Sequence, residues 1–341
     1  MFLKQNIYFI KKVITFKRFW NTLIAFSAYL FSLIFRKVIV WGYPPILFIE
    51  PTDICNLKCP LCPSGNGTLK RAKGYMSLSV FKKVIDESKD KTSLLVLWNQ
   101  GEPFLNKDFL EMVRYASDHK LFSLVSTNAN IMPDAEELVK SGLDSLIISI
   151  DGATQETYNK YRVNGDLETV ISNVKKIVVA KRKLKSITPF INWQFLVMKH
   201  NEHELEEIKK IAKETGVDNV IFKTVQIYQK SDIKEFLPIN PKFRRYKIEG
   251  DNFELKFGVK NRCYRIWTKP VVNWNGEMSI CCFDKDIEFS VGNINDESLI
   301  KIWKNEKFNK VRKQILKERS AIPLCRNCGE GVKLEIERKN V

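Results

Sequence analysis

Histidine is nearly missing from this chain: only His119, His200 and His203 occur in 341 residues. All three lie in stretches that read as helix ends or surface, and no role is assigned to them. No compact arginine-rich tract or recognisable nucleic-acid module accompanies the formal charge of +17, so a nucleic-acid partner is not expected. Internal repeats and low-complexity segments are absent. No small-residue cleavage site follows the apolar N-terminal run, which argues against a removed signal peptide. Eight cysteines in a chain of this length are too sparse for a disulfide framework. They suit metal binding in a reducing compartment.

What is present is ordinary globular material long enough for two domains. The positive charge fits a basic solvated surface, an anionic membrane or an acidic substrate. In the first forty residues, Lys4, Lys11, Lys12, Lys17 and Arg18 precede an uncharged aromatic run, Trp20 to Phe35, closed by Arg36 and Lys37. Sixteen helical residues rise about 24 Å, short of the roughly 30 Å hydrocarbon core. Basic flanks around such a helix suit an interfacial anchor on the cytoplasmic leaflet. Packing on the rest of the protein is the competing reading.

After Pro45 apolar runs alternate with helical periods. Strands are expected at 46–50, 94–98, 122–126, 145–150, 190–197 and 219–223, and helices at 77–89, 107–119, 133–141, 167–183 and 202–215. Leu78, Phe81, Val84 and Ile85 follow helical spacing behind Ser77 as a cap. Six strand-then-helix units predict an α/β fold, a parallel sheet curled into a full or partial (β/α)6 barrel with its functional loops at the C-terminal strand ends. From about Thr224 the alternation stops. The stretch to Asp251 reads as irregular. A hairpin over 271–280 turning at Asn275-Gly276 follows, then a helical stretch through Trp303 and Phe308. Three segments are expected: 1–42, a basic, apolar helical segment; 43–225, the barrel; and 226–341, a small domain held by a metal centre.

Cys55-Asn-Leu-Lys-Cys59-Pro-Leu-Cys62 dominates the chemistry. Three thiolates on one loop after the first strand can hold three irons of a [4Fe–4S] cluster, which normally has four cysteine ligands, and leave the fourth iron open. A closed zinc site wants a fourth nearby ligand, and the next histidine is His119. Three closely spaced cysteines also cannot pair completely as disulfides.

With that loop in place, the stretch from Pro45 to Cys328 resembles the radical SAM superfamily. The resemblance implies a cluster whose open iron is chelated by S-adenosylmethionine, and reductive cleavage of that molecule to a 5′-deoxyadenosyl radical. Leu61 stands where the family usually has an aromatic residue. Gly101-Glu102-Pro103 resembles the family's glycine–glutamate turn, with Glu102 facing the cofactor's ammonium group. Ser126 and Asn128 end the third strand where polar cofactor contacts are expected. Ser149-Ile-Asp151-Gly152 with Tyr158-Asn-Lys-Tyr161-Arg162 resembles a stretch of the same group. It implies Ser149 and Asp151 on ribose or carboxylate oxygens and Arg162 as a carboxylate fork. Capping and turn chemistry could also account for these polar residues.

Cys263, Gly276 and Cys281, followed by Gly292-Asn293-Ile294 and Ile302-Trp303, resemble the SPASM auxiliary-cluster domain. The full domain carries seven cysteines. Here Cys263, Cys281, Cys325 and Cys328 remain, the number for one auxiliary [4Fe–4S] cluster, as in the shortened "twitch" form. Cys282 could replace Cys281, and a zinc knuckle of four cysteines remains open. Asp284 is a candidate general base, or an ordinary turn residue.

These residues lead us to expect an enzyme that abstracts hydrogen from a peptide, a sugar or aminocyclitol, or a membrane-associated metabolite, in an oxidation assisted by the auxiliary cluster. A flavodoxin or ferredoxin would supply electrons. The expected location is cytoplasmic, with peripheral contact to the inner membrane face. The alternatives are a non-oxidative radical step, such as adenosyl transfer or epimerisation, and a membrane-associated iron–sulfur scaffold without such chemistry.

Overall fold

Runs of Leu, Ile, Val and Phe form the centre of the computed structural model, which describes residues 2–250, 252–330 and 335–340. Strands β1 (Ile46–Ile49), β2 (Leu94–Val96), β3 (Phe122–Thr127), β4 (Ser145–Ser149), β5 (Phe190–Val197) and β6 (Asn219–Thr224) lie in sequence order. Every neighbouring pair is parallel, in registers such as Ile46 opposite Leu94 and Trp193 opposite Val220. β4 is buried at all five positions, the reason these strands read as continuous apolar runs. Between them lie helices Leu78–Ser88, Phe109–Asp118, Ala135–Lys140, Leu167–Lys183 and Leu205–Thr215. The Ser77 hydroxyl accepts the Val80 N–H at 3.3 Å, capping the first as expected. β1 and β6 do not pair with each other. The barrel is partial.

Both open edges are covered from the chain's last third. A helix, Lys230–Phe236, and an antiparallel hairpin, β7 (Tyr246–Glu249) and β8 (Asn252–Leu255), occupy the tract expected to be irregular; Asp251 lies outside the described residues. β9 (Val271–Val272) then runs parallel to β1, with Phe48 opposite Val271. β10 (Glu277–Ser279) and β11 (Ser290–Asn293) continue the sheet antiparallel. β12 (Glu335–Asn340) closes the β6 edge. One ten-stranded sheet results. The expected two-residue turn is longer than predicted: Gly276, at φ +83°, donates to the Asn273 carbonyl at 2.9 Å. The Asn273 side chain bonds the Glu277 carbonyl across the loop. The helical stretch through Trp303 and Phe308 is two helices, Leu299–Lys304 and Glu306–Glu318, divided where Asn305 caps the second.

The N-terminal segment, expected to be helical over 1–42, forms two helices, α1 (Phe2–Val13) and α2 (Phe16–Phe35), the second longer than the expected run from Trp20. Tyr8 and Phe9 of α1 meet Phe122 edge-on, and Lys12 pairs with buried Asp144 at 2.7 Å. α2 turns Arg18, Asn21, Ala25, Ala28 and Ser32 towards the protein. The Arg18 guanidinium donates to the carbonyls of Lys89, His119 and Lys120. Packing on the barrel is therefore real. The outer face of the helix is taken up below.

Candidate functional site

The cysteine loop leaves β1 and folds back through the short helix Pro63–Asn66. The Cys62 N–H bonds the Cys59 carbonyl at 3.1 Å, and Gly65 follows with a bond to the Cys62 carbonyl. A side chain at Gly65 would meet Cys59 backbone atoms at 2.6 Å, so the tight return needs glycine. Lys58 ties the loop to the segment carrying Arg162, through a 3.0 Å bond to the Val163 carbonyl.

The three thiols share one polar cradle. Asn128 Nδ2 lies 3.9 Å from Cys55 Sγ, Arg162 Nη1 3.7 Å from Cys59 Sγ, and Gln100 Oε1 4.0 Å from Cys62 Sγ. Burial pushes the Cys55 thiol up to about 12, helped by the nearby Glu102, Cys62 and Cys59. Thiols in such a pocket stay protonated until a metal takes the protons' place. The donor set fits an iron–sulfur cluster: three soft ligands, N–H groups aimed at sulfur, and a guanidinium against the accumulated negative charge.

The expected cofactor-binding residues gather at this same end of the sheet, at the C-terminal ends of β1 to β4. Gly101 has φ +72° and packs against the Thr52 carbonyl, and Pro103 opens a 3-10 turn. Glu102 is fully buried, and its carboxylate accepts from Thr127 Oγ1 at 2.7 Å and the Asn128 N–H at 2.8 Å. Burial pushes it up to about 7 against those bonds. Its side chain thus sets the β3 turn that carries Asn128. Ser126 and Ser149 stand 3.4 Å apart on adjacent strands. Arg162 Nε donates to Asp151 Oδ2 at 2.6 Å, and the Leu196 N–H holds the other Asp151 oxygen. The fork is locked to Asp151 and directed at Cys59. Leu61 is buried in the small apolar cluster around Tyr161 and Phe236.

In the last third, Cys263, Cys325 and Cys328 are buried and act electrostatically on one another and on the guanidinium of Arg319. Burial holds the Cys281 thiol well above the usual range, and Cys282, Cys328 and Cys263 act on it in the same direction. Cys282 accepts from Arg265 Nη1 at 3.3 Å, and Arg265 is also paired with Glu330. All eight cysteines are free thiols. Among the described residues no three or more His, Cys, Asp or Glu side chains converge on a single-ion site. Both oxygens of Asp284 accept main-chain N–H groups, from Glu288 at 2.8 Å and Phe289 at 2.9 Å. Burial pushes this carboxyl up to about 6, and its geometry is that of a turn-holding residue.

Sequence reasoning overlooked Gln100 and Ser64, which bond each other beside Cys62, and Asn56, which accepts from Asn128. It also overlooked the buried pair Arg71–Glu50, doubly bonded at 2.7 Å, and Arg319. Gln100 adjoins the glycine–glutamate turn and could have been flagged. Arg319 has no local signal.

The profile of the radical SAM superfamily matches residues 49–211, and that of SPASM, an iron–sulfur cluster-binding domain, matches 263–329. The chain is 24% identical to the tungsten-containing aldehyde ferredoxin oxidoreductase cofactor-modifying protein of Pyrococcus furiosus, over 83% of this chain and 86% of that one. It is 25% identical to the AdoMet-dependent heme synthase of Methanosarcina barkeri, over 79% and 85% respectively. Among solved structures it resembles Streptococcus suis SuiB bound to S-adenosylmethionine, with a TM-score of 0.61 at 14% identity over 85% of this chain and 73% of that one. SuiB bound to its precursor peptide SuiA matches with a TM-score of 0.60 at 15% identity, over 80% and 67%. With one thiol set inside each matched segment, the chain belongs to the radical SAM superfamily, in the group that carries a SPASM-type C-terminal domain.

Proposed function

We propose that this enzyme oxidatively modifies a peptide, with Cys55, Cys59 and Cys62 holding the cluster that binds S-adenosylmethionine and Cys263, Cys281, Cys325 and Cys328 holding one auxiliary cluster. When bound, the first cluster and its cofactor supply reductive cleavage to a 5′-deoxyadenosyl radical, the hydrogen-abstracting agent of the superfamily. One observation carries the reading: the loop with the three thiols faces Gln100 and Asn128, from the ends of β2 and β3, and Arg162, from the segment after β4.

The protein's own part is positioning. Glu102 fixes the Asn128 main chain, so that its amide side chain reaches Cys55 and Asn56. Asp151 aims Arg162 at Cys59. Ser126, Ser149 and the main chain of Gly101 to Pro103 remain for ribose, carboxylate and ammonium contacts. Residues 43–225 serve as the catalytic core, 226–341 as the auxiliary part that completes its sheet, and 1–42 as a docked segment contacting a membrane from the cytoplasmic side. A flavodoxin or ferredoxin is the electron donor.

The peptide class is supported by SuiB, whose solved complex holds a precursor peptide. A small-molecule substrate is favoured by the four-thiol auxiliary set and by the Pyrococcus and Methanosarcina relatives, named for a cofactor and for heme. Anaerobic reconstitution with S-adenosylmethionine and dithionite tests the core reading: 5′-deoxyadenosine is expected, and its absence from cluster-loaded protein overturns it. Iron near eight per chain is expected for two [4Fe–4S] clusters, against about four with zinc in the second site.

A further inference from the structure

The second helix wears its polarity inside out. Arg18, Asn21, Ala25, Ala28 and Ser32, spaced by threes and fours, face the protein. The opposite face exposes Phe16 at 80%, Trp20 at 52%, Leu30 at 56% and Ile34 at 68%. Ile10 and Ile14 extend the stripe onto and beyond α1, and Phe257 is likewise exposed. A soluble surface helix carries the reverse pattern. Contiguous apolar surface on this scale marks an interaction site.

Charge identifies the occupant. Lys4, Lys11, Lys17, Arg36 and Lys37 are exposed along the same two helices, and no Asp or Glu occurs before Glu50. A second copy would set these cations against their equivalents. An acidic apolar surface would not. Nor is α2 free to cross a membrane, although its 20 residues reach about 30 Å. Extraction would strand the Arg18 guanidinium, now bonded to the carbonyls of Lys89, His119 and Lys120 on the barrel, and the Asn21 amide, bonded to Tyr43 and Lys91.

We infer that α1 and α2 form a monotopic docking face for an anionic lipid bilayer, the helices lying in the interface with their outer stripe in the headgroup and acyl boundary. This deepens the peripheral contact proposed above and names its chemistry. A cavity of about 490 Å³ lined by Phe26, Tyr29, Phe257 and Cys263 adjoins that face, between α2 and the auxiliary thiols.

The test is flotation of the full-length, cluster-loaded enzyme with vesicles of phosphatidylcholine alone or mixed equally with phosphatidylglycerol. Binding to the mixed vesicles is expected, weakened about tenfold or more by raised salt. Phe16→Ser with Leu30→Ser should weaken it at least about tenfold. Brominated lipid should quench emission that Trp20→Phe removes. Failure to float, or equal binding to uncharged vesicles, overturns the inference. So does a concentration-dependent dimer abolished by the double substitution, which would assign the face to a second copy. Release of 5′-deoxyadenosine by the same preparation reads the radical chemistry separately.

Discussion

Cys59 and Cys281 belong to different thiol sets, and iron counting separates them. Cys59→Ala is expected to lose about four irons and all 5′-deoxyadenosine release. Cys281→Ala should lose a similar amount of iron yet keep some S-adenosylmethionine cleavage. Cys282→Ala is expected to keep its iron, since Arg265 already holds that sulfur at 3.3 Å. Glu102 gives a pH signature. Its carboxyl titrates at about 7 because burial opposes its charge, so between about 4.5 and 7 the folded protein binds a proton that the unfolded chain has released. That stabilisation is complete below the ordinary carboxyl range and disappears as pH rises through about 7, on the order of 3 kcal/mol. Thermal unfolding followed across that window should show the slope in the parent enzyme and a flatter profile in Glu102→Gln. At this scale the cysteine spacing was fully readable. The partners of Glu102 were not, because Thr127 and Asn128 lie 25 and 26 residues further along the chain; Asp284 bonds main-chain groups four and five residues on, the turn chemistry the sequence also allowed.

Elements with a dominant period were legible to within a few residues. Leu167–Lys183 and Phe190–Val197 match their expected limits, since a one-sided apolar helix and a buried strand each repeat their own pattern. α1 was not set apart from α2 because its anchoring contacts are aromatic edges and a buried ion pair supplied by residues distant in sequence. β9 has two residues, and Glu335-Ile-Glu-Arg-Lys-Asn340 forms β12 with scarcely any apolar content. Strands this short or this polar exist because a partner strand is available, not because of their own propensity. The Lys12–Asp144 pair tests how firmly α1 is docked. Lys12→Met leaves a buried carboxylate without its cation and should cost about 3 kcal/mol in denaturant unfolding. Adding Asp144→Asn should recover part of that loss.

For the whole molecule, the six parallel strands and the chain's last third share one sheet and one apolar core. β9 lies on β1, β12 lies on β6, and one apolar cluster runs from Leu47 to Cys325. Trp274 packs its ring over Gly74, where a side chain would meet it at 2.4 Å. Unfolding should accordingly be a single transition by both near-UV signal and cluster absorbance. A chain ending at Thr224 should be insoluble or aggregated in size-exclusion chromatography, with both flanks of its sheet unpaired.

The order of synthesis now acquires a meaning. β1 leaves the ribosome more than two hundred residues ahead of β9, and β6 more than one hundred ahead of β12. At translation speeds of roughly 5–20 residues per second, the nascent barrel waits many seconds with its first flank bare. The β6 flank stays bare until β12 follows more than one hundred residues later, so the sheet is completed well after its central strands have been made.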